Sequence, residues 1–492
     1  MTNLINPITL IATIGTRDLI YQIKSGIWYN VGDDRMQDGE IIGEQAEVLT
    51  DLGQGSLTYR EITQHLWQHW DIFQEQVRPV ILGKLIQDHL STLQQVYLIG
   101  TNQPETVPFR KRDTFYSCNI IKAWIEAQKR DIKVTIVPLG EDGTNPSDFE
   151  AMFQWWSNQW NQTIKIPKNH LIWMGLKGGV GQTSESGRIS GISQYGTRIQ
   201  FFEFDENRLK NQDGIPSVYR GPFLGKNYLW DRTRQQVLRQ LDRFDYVGVK
   251  DLLEDYQDRE DVQNVNTWIT AGIAWNQGRF DRFLQLAESS LTTQQKEQSQ
   301  TFWWMAYEEM YLAFVRLGQD NTIEAFLHSF RSLEALIVEW IIHDYPEIVR
   351  IPKSQGFIQL RKDPCCQVFN QDSRIVELFK NKNPNLPGFS EIDLHNYARQ
   401  IVLSVSNQNF EKSEDLKPLW NSAKDLRNQL SHQIVGISPL EMFKAWGVTD
   451  QNQWEKRMLA CLNLLSDQRF MSLRQPSLLA SLHHRIKQIL KP

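Results

Sequence analysis

In the N-terminal part of the chain, short β-rich runs alternate with stretches of helical composition, and this alternation limits the fold more than any other feature. The runs are Ile8–Ile14, Val96–Ile99, Lys133–Pro138, His170–Gly175 and Arg198–Phe204, and helical composition fills residues 60–94, 115–130 and 148–160. Parallel strands need a crossover of about a dozen residues or more, usually a helix. The alternation therefore implies a Rossmann-like, mostly parallel sheet covered by helices on both faces. The first four runs empty into GTRD, GTNQPE, LGEDGTN and GLKGGVG. A doubly wound sheet binds its ligand beyond the carboxyl ends of the strands, so these loops should gather at one site.

After Phe204 the pattern changes. Asp205–Asn227 is polar and interrupted by Gly214, Pro216 and Gly221, as a connection would be. Beyond it, apolar residues recur at helical spacings. Trp275–Leu286 reads as a helical hairpin, and Ala306–Leu336 as a second with its turn at Gly318–Asn321. Two such units are too few for a solenoid. Asn381–Pro387 marks a further loop. The expected architecture is an α/β domain over residues 1–205, a connecting segment with linker helices over 206–300, and an all-α half over 301–492.

Composition removes several function classes. The chain has 53 basic and 58 acidic residues, net −5, which argues against an indiscriminate nucleic-acid coat but leaves room for a local basic RNA site. No apolar run is long enough to span a membrane, and Met1–Leu10 lacks the pattern of a secretory leader. The four cysteines Cys118, Cys365, Cys366 and Cys461 suit a reduced compartment, and the adjacent pair lacks the spacing of zinc or thioredoxin motifs. A soluble cytoplasmic protein is expected. Trp155, Trp156 and Trp160, like Trp303 and Trp304, fall at helical spacings and read as core.

Three motifs could carry chemistry. Lys177–Ser184, KGGVGQTS, resembles a deviant P-loop, yet Gln182 stands where the phosphate-contacting lysine belongs, and a neutral amide cannot supply that charge. The glycine-interrupted SESGRISGISQYG that follows is a poor opening for a long helix. What survives is a glycine-rich turn whose amides can approach an anion, or a tight strand-to-helix turn with no ligand. His65 and His69 share a helix face, but no third ligand or intervening glutamate accompanies them, so a surface or packing role is expected.

The third motif, Arg-x4-His, occurs as Arg60–His65 and as Arg427–His432 in RNQLSH. On a helix, Leu426, Leu430 and Ile434 form an apolar row, with Asn428 and His432 on the opposite side. Five residues rotate about 140°, so one helix does not bring Arg427 and His432 together, whereas two copies across a two-fold axis can. Such a composite site suits metal-independent RNA cleavage. Histidine, ordinarily titrating at about 6.5, can take the 2′-hydroxyl proton or protonate the 5′-oxygen leaving group. Arginine can hold the scissile phosphate. The alternative is an arginine capping the helix or pairing with Asp425 beside a partly buried histidine.

Taken in order, TIGTRD after the first strand, LKGGVGQTS near the end of an α/β domain and LRNQLSH in a helical half resemble the CARF–HEPN ribonucleases of type III CRISPR systems. Arg331 and Glu334 stand where such domains often begin their first long helix. The resemblance implies a homodimer that cleaves single-stranded RNA when its CARF domains bind a cyclic oligoadenylate, as allosteric activator in an antiviral system. It implies no catalytic cofactor or metal, and neither DNA nor membrane as partner. Carried over by motif, Arg427, Asn428 and His432 are catalytic. Gly15, Thr16, Arg17, Asp18, Thr101, Asn102, Lys177, Gly178, Gly179, Gly181, Gln182 and Thr183 bind the ring. The GGVGQTS string departs from the GGT-x-x-M form common in relatives. Two other readings remain open: a non-catalytic nucleotide-sensing scaffold that recruits a partner, and an NTPase acting through KGGVGQTS.

Overall fold

A computed structural model describes residues 6–32, 35–37, 40–351, 358–369, 391–393 and 413–491. The expected loop Asn381–Pro387 lies outside them. The chain divides into two compact units, residues 1–231 and 232–492.

The first unit is built on a six-stranded sheet of β1 (Ile8–Thr13), β2 (Leu93–Thr101), β3 (Lys133–Leu139), β4 (Leu171–Gly175), β5 (Ile199–Asp205) and β6 (Val218–Leu224). The spatial order is β6-β5-β4-β1-β2-β3, parallel except for β6. Every residue of β1 is buried, as a central parallel strand covered on both faces requires. Leu10 and Ala12 enter one core with Val96, Leu98, Ile120 and Ile121, while Ile11 enters the other with Tyr97, Ile99, Trp156 and Met174. Helices α1 (Tyr59–Gln68) and α2 (Phe115–Gln128) serve the first core, and α3 (Phe149–Gln162) the second. Trp155, Trp156 and Trp160 are core residues, as expected.

Three local expectations are corrected. Residues 60–94 are not continuously helical: Val77–Pro79 is a strand paired with Leu19–Gln22, which also pairs with Trp28–Asn30. Val77, Val80, Ile81 and Leu82 are all buried there, so tertiary burial overrides local composition. The polar stretch Asp205–Asn227 contributes β6, which runs antiparallel to β5. Its Gly221 is a strand glycine at φ +126°, where a Cβ would stand 2.8 Å from the Phe201 carbonyl oxygen. Finally, the glycine-interrupted stretch after KGGV forms a 15-residue helix, α4 (Gly181–Tyr195). A Cβ on Gly187 would lie 2.7 Å from the Trp156 ring, so this glycine serves close packing and does not end the helix.

Helix α5 (Gly225–Asp242) carries the chain into the second unit. Both helical hairpins form there. Glu260–Asn276 (α6) turns at Gly278, φ +68°, into Phe280–Ala287 (α7). Trp304–Gly318 (α8) turns at Asp320, φ +61°, into the 23-residue Thr322–Asp344 (α9). Arg331 and Glu334 stand in the middle of α9, not at the start of a first long helix. Three further helices are α10 (Ser422–His432), α11 (Gln451–Ser466) and α12 (Leu478–Leu490). The Glu308 carboxylate, wholly buried, accepts hydrogen bonds from Trp275 Nε1 at 2.7 Å, Trp304 Nε1 at 3.2 Å, Ser477 Oγ at 2.8 Å and the Leu478 amide. Burial pushes it up to about 7 despite these donors. Among the described residues, no helix is long and apolar enough to cross a membrane.

Candidate functional site

The strand order reverses direction between β1 and β4, the two strands that flank the switch point of a doubly wound sheet. The loops that follow them meet there in backbone contact. A Cβ on Gly15 would lie 2.6 Å from the Gly179 nitrogen, and one on Gly178 would lie 2.4 Å from both the Gly15 nitrogen and Asp18 Oδ2. Gly179 adopts φ +85°, a conformation that side-chain-bearing residues rarely take. These contacts shape the floor of a pocket of about 400 Å³.

Eight of the twelve ligand residues expected from sequence line it: Gly15, Thr16, Arg17, Asp18, Thr101, Lys177, Gly178 and Gly179. Four do not. Asn102 is tied up between Arg60 Nη2, which donates to its Oδ1 at 2.8 Å, and Glu141 Oε1, which accepts from its Nδ2 at 2.6 Å. Thr183 is buried and donates to the Pro146 carbonyl at 3.0 Å, while Gly181 and Gln182 are exposed on the first turn of α4. Composition of the loop suggested a cradle, but the helix begins at Gly181 and turns these positions away from the lining.

Sequence reading missed other lining groups. Gln103, Phe109, Arg112 and Thr114 come from the loop after β2, Asn145–Ser147 from the loop after β3, and Glu206 from the end of β5. All follow carboxyl ends of strands, so that rule was the available signal. Phe109 places a phenyl ring, 65% exposed, at the pocket.

Asp18 is the electrostatic centre of the pocket. It is 1% exposed, and its Oδ2 accepts from the Gly15 amide at 2.6 Å while Oδ1 has no hydrogen-bond partner among the described residues. Burial pushes its carboxyl up to about 7; the Gly15 hydrogen bond opposes this, the Glu206 charge adds to it, and Arg17 opposes it. Nearby Asp113 is saturated, accepting from the Gln103 amide at 2.5 Å, from Gln103 Nε2 at 2.8 Å and from Arg60 Nη1 at 3.3 Å. Arg17 and Lys177 are exposed, and neither has an ion-pair partner among the described residues. The pocket thus presents exposed cations, backbone amides and one buried carboxyl, which suits a polar, phosphate-bearing ligand.

The Arg60–His65 pair separates into structural roles. Arg60 pairs with Asp113 and lies 5.1 Å from the Tyr116 ring centroid. His65 and His69 pack with ring centroids 4.6 Å apart and planes tilted by 46°, His69 at the end of α1, and no set of three metal-ligating side chains forms among the described residues.

In the second unit, RNQLSH occupies the end of α10, whose only buried residue is Ala423. Arg427 pairs with Glu334 of α9 at 3.5 Å, not with Asp425, and its guanidinium lies 5.1 Å from the Phe330 ring centroid. Its Nε is buried without an acceptor among the described residues. Asn428 is half-buried and His432, the last helical residue, is exposed. Leu426 and Leu430 are half-buried, but Ile434 does not complete a helical row. The helix stops at His432, Gln433 is extended at φ −130°, ψ 147°, and Ile434 is fully exposed.

No family model matches the chain, and no curated protein matches it. Among solved structures, Csm6 from Enterococcus italicus bound to cyclic hexa-2′-fluoro-hexa-dAMP is similar, with a TM-score of 0.55 and 11% identity. The match covers 98% of this chain and 100% of that one. The two proteins share a whole-chain fold, the α/β unit followed by a helical half that the sequence implies.

Proposed function

We propose that the chain is a cyclic-oligoadenylate-activated, metal-independent endoribonuclease of a CRISPR antiviral system, with a sensing domain in residues 1–205 and a cleaving domain in 301–492. One observation carries the reading. In a fold shared with a cyclic-nucleotide-bound Csm6, the chain has a switch-point pocket lined by Gly15–Asp18 and Lys177–Gly179, and it displays Arg427 and His432 on an exposed helix.

In this reading the ring's phosphates meet Arg17, Lys177 and the loop amides, while a ribose or base donor reaches Asp18 Oδ1. A second copy of the chain packs against the exposed end of α10, beside Ile434 and Leu440, the last 71% exposed, and brings two Arg427–His432 sets together. The 2′-oxygen of the RNA attacks the phosphorus and the bond to the 5′-oxygen breaks. One histidine accepts the 2′-hydroxyl proton and the other protonates the leaving 5′-oxygen, giving a cyclic phosphate and a 5′-hydroxyl. Arg427 offsets charge on the phosphate oxygens, and Asn428 positions the strand beside it. The Arg427 side chain, 35% exposed and held by a 3.5 Å contact to Glu334, supports this role. Ring binding activates only if it favours one arrangement of the cleaving domains over another.

The test is a fluorogenic single-stranded RNA with EDTA and cyclic tri-, tetra- or hexa-adenylate in separate reactions. Cleavage with one ring, lost in His432→Ala while dimerisation persists, is the expected result. A folded dimer that binds a ring yet cleaves nothing favours the scaffold reading.

A further inference from the structure

A cavity of about 850 Å³ in the second unit lies among residues that none of the motifs above include. Its lining draws on α12 and the segment before it. Arg474, Arg485, Lys487 and Lys491 face a single carboxylate, Asp242, which is already paired with Lys487. This excess is local. The whole chain is net −5, but no acidic residue follows Asp467. Arg485 is engaged, donating to the Ser290 carbonyl at 2.6 Å and covering the Trp268 ring at 4.4 Å. Arg474, His484 and Lys491 are exposed, and their side chains have no hydrogen-bond or ion-pair partner among the described residues.

A flat aromatic surface accompanies these cations. Phe244 stacks on His483 with centroids 4.2 Å apart and planes 18° from parallel. His483 is fixed beneath it by a 2.8 Å hydrogen bond to the Tyr246 hydroxyl. Phe244 takes φ +56° as the left-handed residue that ends α5, where the Asp245 amide donates to the Gln240 carbonyl at 2.9 Å, and Asn276 Nδ2 donates to the Phe244 carbonyl at 2.8 Å. A half-buried phenyl ring at the edge of a basic cleft suits a ligand with flat faces as well as negative charge. Single-stranded nucleic acid has both, whereas duplex bases are stacked away from side-chain rings.

We propose that this cleft is a second binding site, holding the phosphodiester backbone of single-stranded RNA with a base on the Phe244–His483 platform. The identification of the strand as RNA rests on the ribonuclease reading; the cleft's affinity for phosphodiesters does not. The cleft then holds substrate outside the reacting nucleotides, raising affinity for long strands without touching the bond that breaks.

The test uses full-length His432→Ala protein and a labelled 20-nucleotide single-stranded RNA, read by fluorescence anisotropy over a series of salt concentrations. Arg474→Gln with Lys491→Gln should weaken binding about ten-fold at low salt and reduce the slope of log affinity against log salt by about 1.4, since each single-strand phosphate contact contributes about 0.7. Lys250→Gln with Arg282→Gln, outside the cleft, should leave both unchanged. Because Arg474 and Lys491 are exposed, the variants should melt like the parent. Parental affinity and slope in the Arg474/Lys491 pair overturn the proposal, and so does a parent that binds no RNA. With His432 restored, the pair should raise the KM for long RNA and leave kcat unchanged. If the wild type cleaves nothing with any ring, the ribonuclease reading fails, and anisotropy still decides the cleft.

Discussion

Replacing Asp18 by asparagine isolates the electrostatics of the switch-point pocket. The carboxyl sits at 1% exposure with one hydrogen bond, and its folded value of about 7 stands above an ordinary 3.8. Between those values the folded chain keeps a proton that the unfolded chain releases. Stability contributed by the protonated group is therefore fully present below 3.8 and lost as pH rises through about 7. From pH 5 to pH 8 that loss amounts to about 2.5 kcal/mol, at 1.36 kcal/mol for each pH unit across which only the unfolded state is ionised. Asparagine keeps an acceptor for the Gly15 amide and carries no charge to desolvate. The difference in stability between Asp18→Asn and wild type should move by that amount in favour of the variant over this range. Glu308, also raised to about 7, titrates in the other unit and cancels in the comparison. The assay is urea-dependent thiol labelling of Cys118, the single cysteine of the first unit and fully buried, compared between the two proteins at each pH. A stability difference independent of pH from 5 to 8 would refute the assignment of a protonated, desolvated Asp18.

Arg427→Lys retains charge but loses the guanidinium fork that holds Glu334 and covers Phe330; ring-activated cleavage should fall about 100-fold or more with the melting temperature near that of wild type, read by initial rates and calorimetry. Phe109→Ala removes an exposed ring from the pocket and should weaken ring binding about ten-fold by titration calorimetry without altering stability, as expected for the loss of one base-stacking surface. Glu308→Gln places an amide NH2 against indole, hydroxyl and backbone donors, and should destabilise the second unit by about 1–3 kcal/mol in chemical denaturation.

The alternation of apolar runs with helical stretches was enough to imply a parallel sheet with its ligand loops at one end, because crossover length and strand burial are local, sequence-borne constraints. The TIGTRD and LKGG loops were legible for the same reason: each directly follows a short apolar run, which the structure forms as a buried strand. Fold class, the two helical hairpins and the aromatic core positions follow from periodicity alone. Tertiary structure decided the rest. Val218–Leu224 became a strand because β5 offered an open edge, and the glycines of α4 became packing contacts because Trp156 and Ile199 lie against them. Which loop residues face the pocket was set by where α4 begins, which withdrew Gly181, Gln182 and Thr183, and by the Arg60–Asn102–Glu141 chain, which withdrew Asn102. Phe109 and Arg112 joined the site from a loop with no motif, and the basic cleft of α12 came from residues scattered between Asp242 and Lys491. Sequence carries the spacing of groups along one element; the distance between groups on different elements depends on packing, which no local pattern records.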